Sequence, residues 1–456
     1  MPCDTAMNQN YTDIIQQLSQ LLLQAIEERE SSLCQNVEQL DSELAKLLRL
    51  VGLQVMSGLL NSLAQQVTQE AKQPGLVVHR RSIVKYSVIF GTVEVSSPYL
   101  WHKKEGWGVR PVKEKLGIEH GEHSLAVKRA LADFGSEESF GQASSRFEEH
   151  YGWKVERSAL RREVENIAFL ALAYVERRLL VLETNFKNQE PPKKRCGWNR
   201  VLVELDGSHI CTGILTPTET EELTPLRRLR RCKRQTDWRE VRVGFARPVE
   251  QKEKRTFVAR MGQYSEVVQQ LHSAAVDQGL STHTLVYGLA DGGNGLREAL
   301  EEEFSHFQFI LDRPHLKQHL YATAEAMELT GKIRFIWLKH TLDLIDKGQV
   351  KKVISRLKRW QGKGQQRVLN LAKYLERFRD SLHYDKYRSL GLPIGSGEIE
   401  SAHRYIPQKR LKLPGATWHP DTINPMLALR VIRANDWWHN FWYQLSLDKN
   451  QLIDCC

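Results

Sequence analysis

Three glycine-containing segments that carry acidic residues give the first chemical signal in this chain. In VLVELDGSHI, residues 201–210, Leu202, Glu204 and Asp206 share one strand face and Val201, Val203 and Leu205 the other. Gly207 follows Asp206, where the strand is expected to end. LVYGLADGGNGL repeats the arrangement: an apolar strand, Asp291 at its C-terminal end, then glycines that leave room beside the carboxylate. An acid in that place also serves as an ordinary turn residue, but ligand sites in open α/β sheets gather at such strand ends. The third acid lies in LPIGSGEIES, a Gly-rich turn entering a helix with Glu398 and Glu400 two positions apart. If Ser396 caps this helix, Glu398 falls in the first turn, where its charge suits the helix dipole. Glu400 lies about 200° around the axis at 3.6 residues per turn, so the two do not share a task. Spacing alone does not choose between them.

Carboxylates so placed suit metal-dependent phosphoryl transfer. Magnesium prefers hard oxygen ligands and keeps several waters, so a few carboxylates suffice while phosphate oxygens complete the octahedron. Two such ions about 3.5–4 Å apart stabilise both the attacking and the leaving oxygen of an in-line displacement.

The elements that must position these acids follow from hydrophobic period. After the linker NQEPPKKRCGW come VLVELDGSHI, REVRVGFARPV and TFVARMG, a helix from Tyr264 to Gln278, HTLVYGLADG, a helix near Leu296 to Phe304, and FQFILDRPH. Three consecutive strands, then helix, strand, helix, strand, describe an antiparallel meander continued by parallel strands, the order of a ribonuclease-H-like α/β core. From Tyr321 to about His383 the pattern is helical, with Gly348, Gly362 and Gly364 at turns, before LPIGSGEIES resumes the core.

Upstream, Tyr11 to Ala71 reads as helix. Leu33, Val37, Leu40, Leu44, Leu47 and Val51 follow the alternating spacing of a short coiled-coil seam. That seam serves either self-association or an intramolecular helical hairpin. RRSIVKYSVIFGTVEVSSPYLW alternates on both sides of Gly91 as a β-hairpin, and HKKEGWGVRPVKEKLG reads as a loop. LAVKRALADFG, SEESFGQASSRFEEHYG and a helix expected to be capped by Ser158 suggest a helix-turn-helix, with Arg161 and Arg162 exposed near the start of the last helix. An ordinary packed helical pair would give the same pattern.

Charge supports a polyanionic partner. The chain carries 65 Lys+Arg against 55 Asp+Glu, a formal +10, and six of the eight residues from Arg227 to Arg234 are basic, including Arg227, Arg228, Arg230 and Arg231. A second block, KKVISRLKRWQGKGQQR, begins at Lys351. Such blocks suit phosphate backbones, whose neutralisation releases counterions, although any one run also serves as a solvated face. Hydrophobic residues at 41% and charged residues at 26% are globular values. No apolar run approaches the ~18 residues of a membrane span, and MPCDTAMNQN does not resemble a signal peptide. A cytoplasmic, nucleoid-associated protein is expected. The seven cysteines contain no C-x-x-C pair and read as reduced.

LDG at Asp206, ADGG at Asp291, LDRPHLKQH and GSGEIESAHRYIPQKRLKLPGATW together resemble DDE-type transposases of bacterial insertion sequences, most closely the ISKra-like group. The likeness runs from the hairpin to the tryptophan-rich NDWWHNFW. In that family the last acid is the second glutamate of a G-S-G-x-x-E-S pattern, so the resemblance implies Asp206, Asp291 and Glu400 as catalytic and metal-binding residues. Glu398 is then a helix-start charge, and Asp312 and His315 support the site. It also implies two Mg2+ ions, for which Mn2+ would substitute, with Asp206 bridging both, Asp291 on one and Glu400 on the other. Water would be the nucleophile when an element end is nicked, and the freed 3′-hydroxyl when that end joins target DNA.

Arg404, Lys409, Arg410 and Lys412 are expected to contact phosphates near the scissile bond, although Pro407 should kink or end their helix. His315 with His319 has the spacing of a zinc pair but lacks a third ligand. Trp418, Trp437, Trp438 and Trp442 would either stack on bases or fill a buried C-terminal helix. Related proteins often carry a cysteine-rich zinc ribbon after the hairpin; WHKKEGWG has no cysteine, so zinc is not expected.

The expected organisation is multidomain α+β. It comprises a helical oligomerisation region (1–75), hairpin and loop (76–115), helix-turn-helix DNA-binding region (116–190), first part of the core (196–320), all-helical insertion (321–388), final core segment with the catalytic Glu (389–415) and helical tail (416–456). The expected partners are double-stranded DNA, at element ends and target, and a second copy of the chain in a homodimer or higher oligomer. A sequence-specific DNA-binding regulator, a domesticated or inactive transposase derivative, and a ribonuclease-H-like hydrolytic nuclease are the competing functions. Terminal inverted repeats flanking the gene would separate a transposase from a plain regulator or nuclease.

Overall fold

A computed structural model describes residues 14–24, 37–188, 197–217 and 232–454. The chain forms two compact units. One comprises Met1–Ala130, Ser145–Val155 and Leu447–Cys456, the other Leu131–Ser144 and Glu156–Ser446. Both α-helices and β-sheets are present, as a multidomain α+β reading requires.

In the first unit a long helix, α1 (Val37–Glu70), precedes strands β1 (Leu76–Arg80), β2 (Ile83–Val88), β3 (Gly91–Ser96), β4 (Tyr99–His102) and β5 (Trp107–Val109). The short helix α2 (Pro111–Leu116) and strand β6 (Glu122–His123) follow. β2 and β3 are the expected hairpin, antiparallel with Val88 opposite Gly91. Gly91 has φ +141, in the region that favours glycine. β3 buries alternate residues, and Val93 and Val95 join Tyr86 and Val88 in a core covered by Leu53, Met56, Leu60, Ala64 and Val67 of α1. The segment expected as a loop instead supplies β5 and α2. There β5 pairs antiparallel with β4, which pairs with β1.

The coiled-coil seam from Val37 to Val51 lies on the outward half of α1, where Val37, Leu40, Leu44 and Val51 are exposed; Leu33 lies outside the described residues. By length and composition α1 is also apolar enough to cross a membrane. The sequence reading missed this because Gln54, Ser57 and Asn61 interrupt the apolar run without adding charge. Asn61 has a structural task in this unit. Its amide donates to Glu94 O at 2.9 Å and accepts from Ser96 N at 3.1 Å, which zips the helix to the edge of β3.

Helices α3 (Leu125–Glu137), α4 (Phe140–Tyr151) and α5 (Arg157–Asn188) occupy the segment read as a helix-turn-helix. Because α5 begins at Arg157, Ser158 lies inside its first turn and is not its cap. The second unit then builds one five-stranded sheet from β7 (Arg200–Pro217), β8 (Cys232–Pro248), β9 (Thr256–Arg260), β10 (Leu285–Ala290) and β11 (Phe307–Leu311). Their order across the sheet is β11-β10-β7-β8-β9. β10 runs parallel to β7 and β11, whereas β8 is antiparallel to β7 and β9. Helices α6 (Tyr264–Asp277) and α7 (Leu296–Glu303) flank β10 in sequence.

After β11 come α8 (Arg313–Ala326), α9 (Gly331–Asp346), α10 (Val350–Lys358), α11 (Gln365–Arg377) and α12 (Tyr384–Ser389), the expected helical segment. The buried Tyr384 and Tyr387 donate their hydroxyls to Leu311 O and Phe309 O, fixing α12 to β11. Helix α13 (Gly397–His403) runs into a π-helical turn over Arg404–Gln408 and the single turn α14 (Lys409–Leu411). Pro407 lies inside the π turn, so the expected interruption is a widened turn, since proline has no N–H to give the ladder. α15 (Pro420–Ala434) and α16 (Trp438–Asp454) complete the described chain. Trp437, Trp438 and Trp442 are buried there, and they belong to the core.

Candidate active site

Asp206 and Asp291 reach one place because of strand register. Leu289 of β10 pairs with Glu204 of β7, and two residues further along each strand stand Asp291 and Asp206. Neighbouring strands lie about 4.8 Å apart, so the two carboxylates leave adjacent backbones. Asp291 follows the last residue of β10, as expected. Asp206 does not end its strand: β7 continues to Pro217 in unbroken register with β8, and Asp206 pairs with Val243. The glycine that suggested a strand end, Gly207, lies inside the strand, with the Glu240 carboxylate standing where a Cβ would project.

Helix α13 is fastened over these strands at several points, and the fastenings separate the two glutamates. Glu398 accepts from Nε of Arg247 at 2.9 Å and from Nη2 at 2.7 Å, a bidentate pair, with Arg255 at 3.6 Å. Arg247 is only 1% exposed, so this carboxylate is committed to neutralising a buried guanidinium. One residue on, Ile399 N donates to the buried Glu204 at 3.2 Å. Glu400 is exposed, and its described contact is with the Ser396 hydroxyl at 3.2 Å. Ser396 therefore occupies the N-cap position without capping through its side chain.

Asp312, at the end of β11, ties the Gly-rich turn to the sheet. Fully buried, it accepts from Ser396 N at 2.8 Å with one oxygen and from His315 N at 2.9 Å with the other, which also faces His315 Nδ1. The expected Asp312–His315 pair is thus present. The hydrogen bond of its ring to Asp312, with the charges of Asp291 and Asp206, holds the His315 pKa above its ordinary value despite partial burial. His319 stacks on Tyr374 of α11, with centroids 4.6 Å apart. The same tyrosine lies over Gly292, where a Cβ would strike its hydroxyl, so the helical segment reaches the Asp291 loop.

Three participants escaped the sequence reading. His403 is 3% exposed, and its Nε2 stands 3.2 Å from the carbonyl and 3.4 Å from Oδ2 of Asp206. A carbonyl only accepts, so Nε2 carries the proton, and Nδ1 has no partner. Burial pushes the His403 pKa down, against the pull of Asp206 and Glu400. Its signal was a position one turn after Glu400 on the same helix. Glu204 was placed on the Asp206 face without a role. Burial, then the charge of Glu398, raises its pKa well above the ordinary range, against Ile399 N and Arg247, and Oε1 has no partner. Arg247, the third, has no local sequence signal because its partner is far along the chain. Asp206 itself is raised by burial and by Asp291, opposed by His403 and His315.

The other predicted residues divide by exposure. Arg161 pairs with Glu165 at 2.8 Å, Lys409 pairs with Glu137, and Arg162, Arg404 and Lys412 are exposed. Arg410 is buried. Arg227, Arg228, Arg230 and Arg231 lie outside the described residues. Elsewhere, Glu183, His272 and Glu303 place ligand atoms within 4.8 Å of one another. His272 meets Glu183 at 2.8 Å and Lys187 meets it at 3.1 Å, so Glu183 already has partners within reach.

Comparison with models of protein families and with curated proteins gave no match.

Proposed function

We propose that this protein is a DNA transposase of the DDE type, resembling the ISKra-like group of bacterial insertion sequences. In this reading it cuts the ends of its element and joins them to target DNA. One observation carries it: Asp206 and Asp291 leave adjacent strands at the same sheet edge, and on the helix fastened over that sheet Glu398 is saturated by a buried arginine. That leaves the exposed Glu400, held by the Ser396 hydroxyl, as the α13 carboxylate without a cationic partner among the described residues. The sheet order, with one antiparallel strand between β7 and β9 and parallel strands on the other side, is what a ribonuclease-H-like core requires and supports that fold assignment.

The donor set fits Mg2+, with Mn2+ as a substitute. Asp206, Asp291 and Glu400 offer hard carboxylate oxygens, and burial beside a second acid already disfavours charge on Asp206 unless a cation is present. Bound Mg2+ would supply Lewis-acid neutralisation of charge building on the phosphate oxygens. The chain's own residues do the positioning. His403 fixes the orientation of Asp206, Asp312 holds the turn that presents Glu400, and the Arg247–Glu398 pair locks α13 on the sheet. Double-stranded DNA is the substrate, with Arg161, Arg162, Arg404 and Lys412 available to its backbone. The exposed apolar seam of α1 supports self-association into a homodimer or higher oligomer.

The test is magnesium-dependent cleavage and strand transfer on a labelled duplex carrying the element's own end. Glu400→Gln should lose both activities and keep end binding, while Glu398→Gln, assayed well below its melting temperature, should keep both. Wild type that binds the end in Mg2+ or Mn2+ and never cuts it would return the regulator reading.

A further inference from the structure

Arg410 has burial without a counter-charge. It is 3% exposed, its guanidinium lies in the corner made by the rings of Phe140 at 4.5 Å and Trp418 at 4.7 Å, and Nε donates to Gly135 O at 2.8 Å. Nη2 has no hydrogen-bond partner, and among the described residues no carboxylate pairs with Arg410. Leaving a buried charge unpaired is costly, and aromatic faces compensate only part of it. Burial, then Arg430, pushes its pKa down to about 10, against a weak pull from Glu165.

The same arginine lines a cleft of about 570 Å³ that Arg157, Arg161 and Arg234 also line. Glu165 is on the wall as well, but it is engaged by Arg161. Arg157 and Arg234, with Arg161 already paired to Glu165, therefore line the cleft beside the guanidinium that lacks an anion. The cleft is built onto the strand that carries Asp206. Trp418 N donates to Cys211 O at 3.1 Å, Gly213 N donates to Trp418 O at 2.9 Å, and the indole N–H donates to Leu411 O at 3.1 Å. Thr212, which bridges to Trp418, stands six residues beyond Asp206, about 20 Å at ~3.3 Å per residue.

We propose that this cleft is a phosphate pocket that grips the backbone of bound DNA about 20 Å from the carboxylates. It rests on the reading of DNA as substrate. The guanidinium of Arg410, set in place by two rings and a carbonyl, stands in the cleft wall with its charge uncompensated, and a phosphate held by Arg157 and Arg234 would supply the missing anion. Phe140 and Trp418 both contact this guanidinium, so they serve the arginine and do not stack on bases.

The test is fluorescence anisotropy of a labelled duplex with the full chain over a salt series. Arg157→Ala with Arg234→Ala removes two exposed cleft charges and leaves the core untouched, and Arg410→Gln removes the buried one. Lys103→Ala with Lys104→Ala is the charge-matched control. The cleft double variant should lose about tenfold or more in affinity and about 2 in the slope of log K against log salt, and the control much less. Equal losses in cleft and control variants, or an unchanged slope, would overturn the pocket. So would heat stabilisation of the wild type by inorganic phosphate, lost in the double variant, with DNA affinity unchanged, because the ligand would then be a free anion. If affinity depends on the cleft but cleavage is never seen, the transposase reading fails and the pocket stands; cleavage with cleft-independent binding is the reverse.

Discussion

Asp206 and Glu183 are both partly buried acids beside a histidine and a second acid, yet their carboxyls shift in opposite directions. Burial pushes both upward. At Glu183 the hydrogen bond and charge of His272, with Lys187, more than offset it and leave the pKa lowered. At Asp206 burial and Asp291 outweigh His403 and His315 and leave it raised. In the tighter cluster the hydrogen bond and charge at Glu183 win over burial, and at Asp206 burial wins. Proximity of ligand atoms points to the Glu183 group, whereas the raised carboxyl of Asp206 points to the strand-edge acids, and the proposed function rests on the second signal.

The sharpest way to break this contrast is to remove one acid from each cluster. Asp291→Asn should reduce Mg2+-dependent cleavage on the order of a thousandfold, several kcal/mol of transition-state stabilisation. Glu303→Gln should leave it within about threefold, because on the proposed reading the Glu183 group lies outside the cleavage site. Steady-state cleavage of the labelled end, normalised to folded protein, gives both numbers.

The next effect is on stability. Glu398→Gln leaves the buried Arg247 without its charge partner and should cost about 3 kcal/mol, read as a fall of several degrees in a thermal melt. The corresponding Glu400→Gln should melt within about a degree of wild type, since its carboxylate is exposed.

A smaller effect should come from Glu204→Gln. The folded pKa of Glu204 lies above its unfolded value of 4.5, so the folded chain holds the proton more tightly. Its contribution to stability is therefore greatest below that value and falls as pH rises toward the folded pKa. The amide cannot ionise, and the variant should be more stable than wild type by about 1–2 kcal/mol at pH 8 and nearly equal at pH 4. Melts at the two pH values check the sign.

Legibility in the sequence followed the range of the interactions. The β2–β3 hairpin, Asp291 at the end of β10 and the helical run after β11 were readable because alternation and glycine placement are local. The Asp312–His315 pair was found by resemblance and is itself a three-residue contact. Asp206 was found for a partly mistaken reason: the glycine after it marks a close approach by Glu240, and the strand continues. The choice between Glu398 and Glu400 was not readable from spacing, because it depends on Arg247, 151 residues away in sequence. Likewise, the burial of Arg410 comes from Phe140, on a helix far upstream. Sequence placed it among exposed phosphate contacts, since a basic residue in a basic run carries no local sign of burial.

The most direct test is calorimetric titration of Mn2+ into the wild type, into an Asp206→Asn/Asp291→Asn double variant and into Glu183→Gln. The account predicts saturable binding by the wild type, its loss in the double variant and its persistence in Glu183→Gln. Wild-type-like binding by the double variant, or loss of binding in Glu183→Gln, would contradict the assignment of the divalent-ion site to Asp206, Asp291 and Glu400.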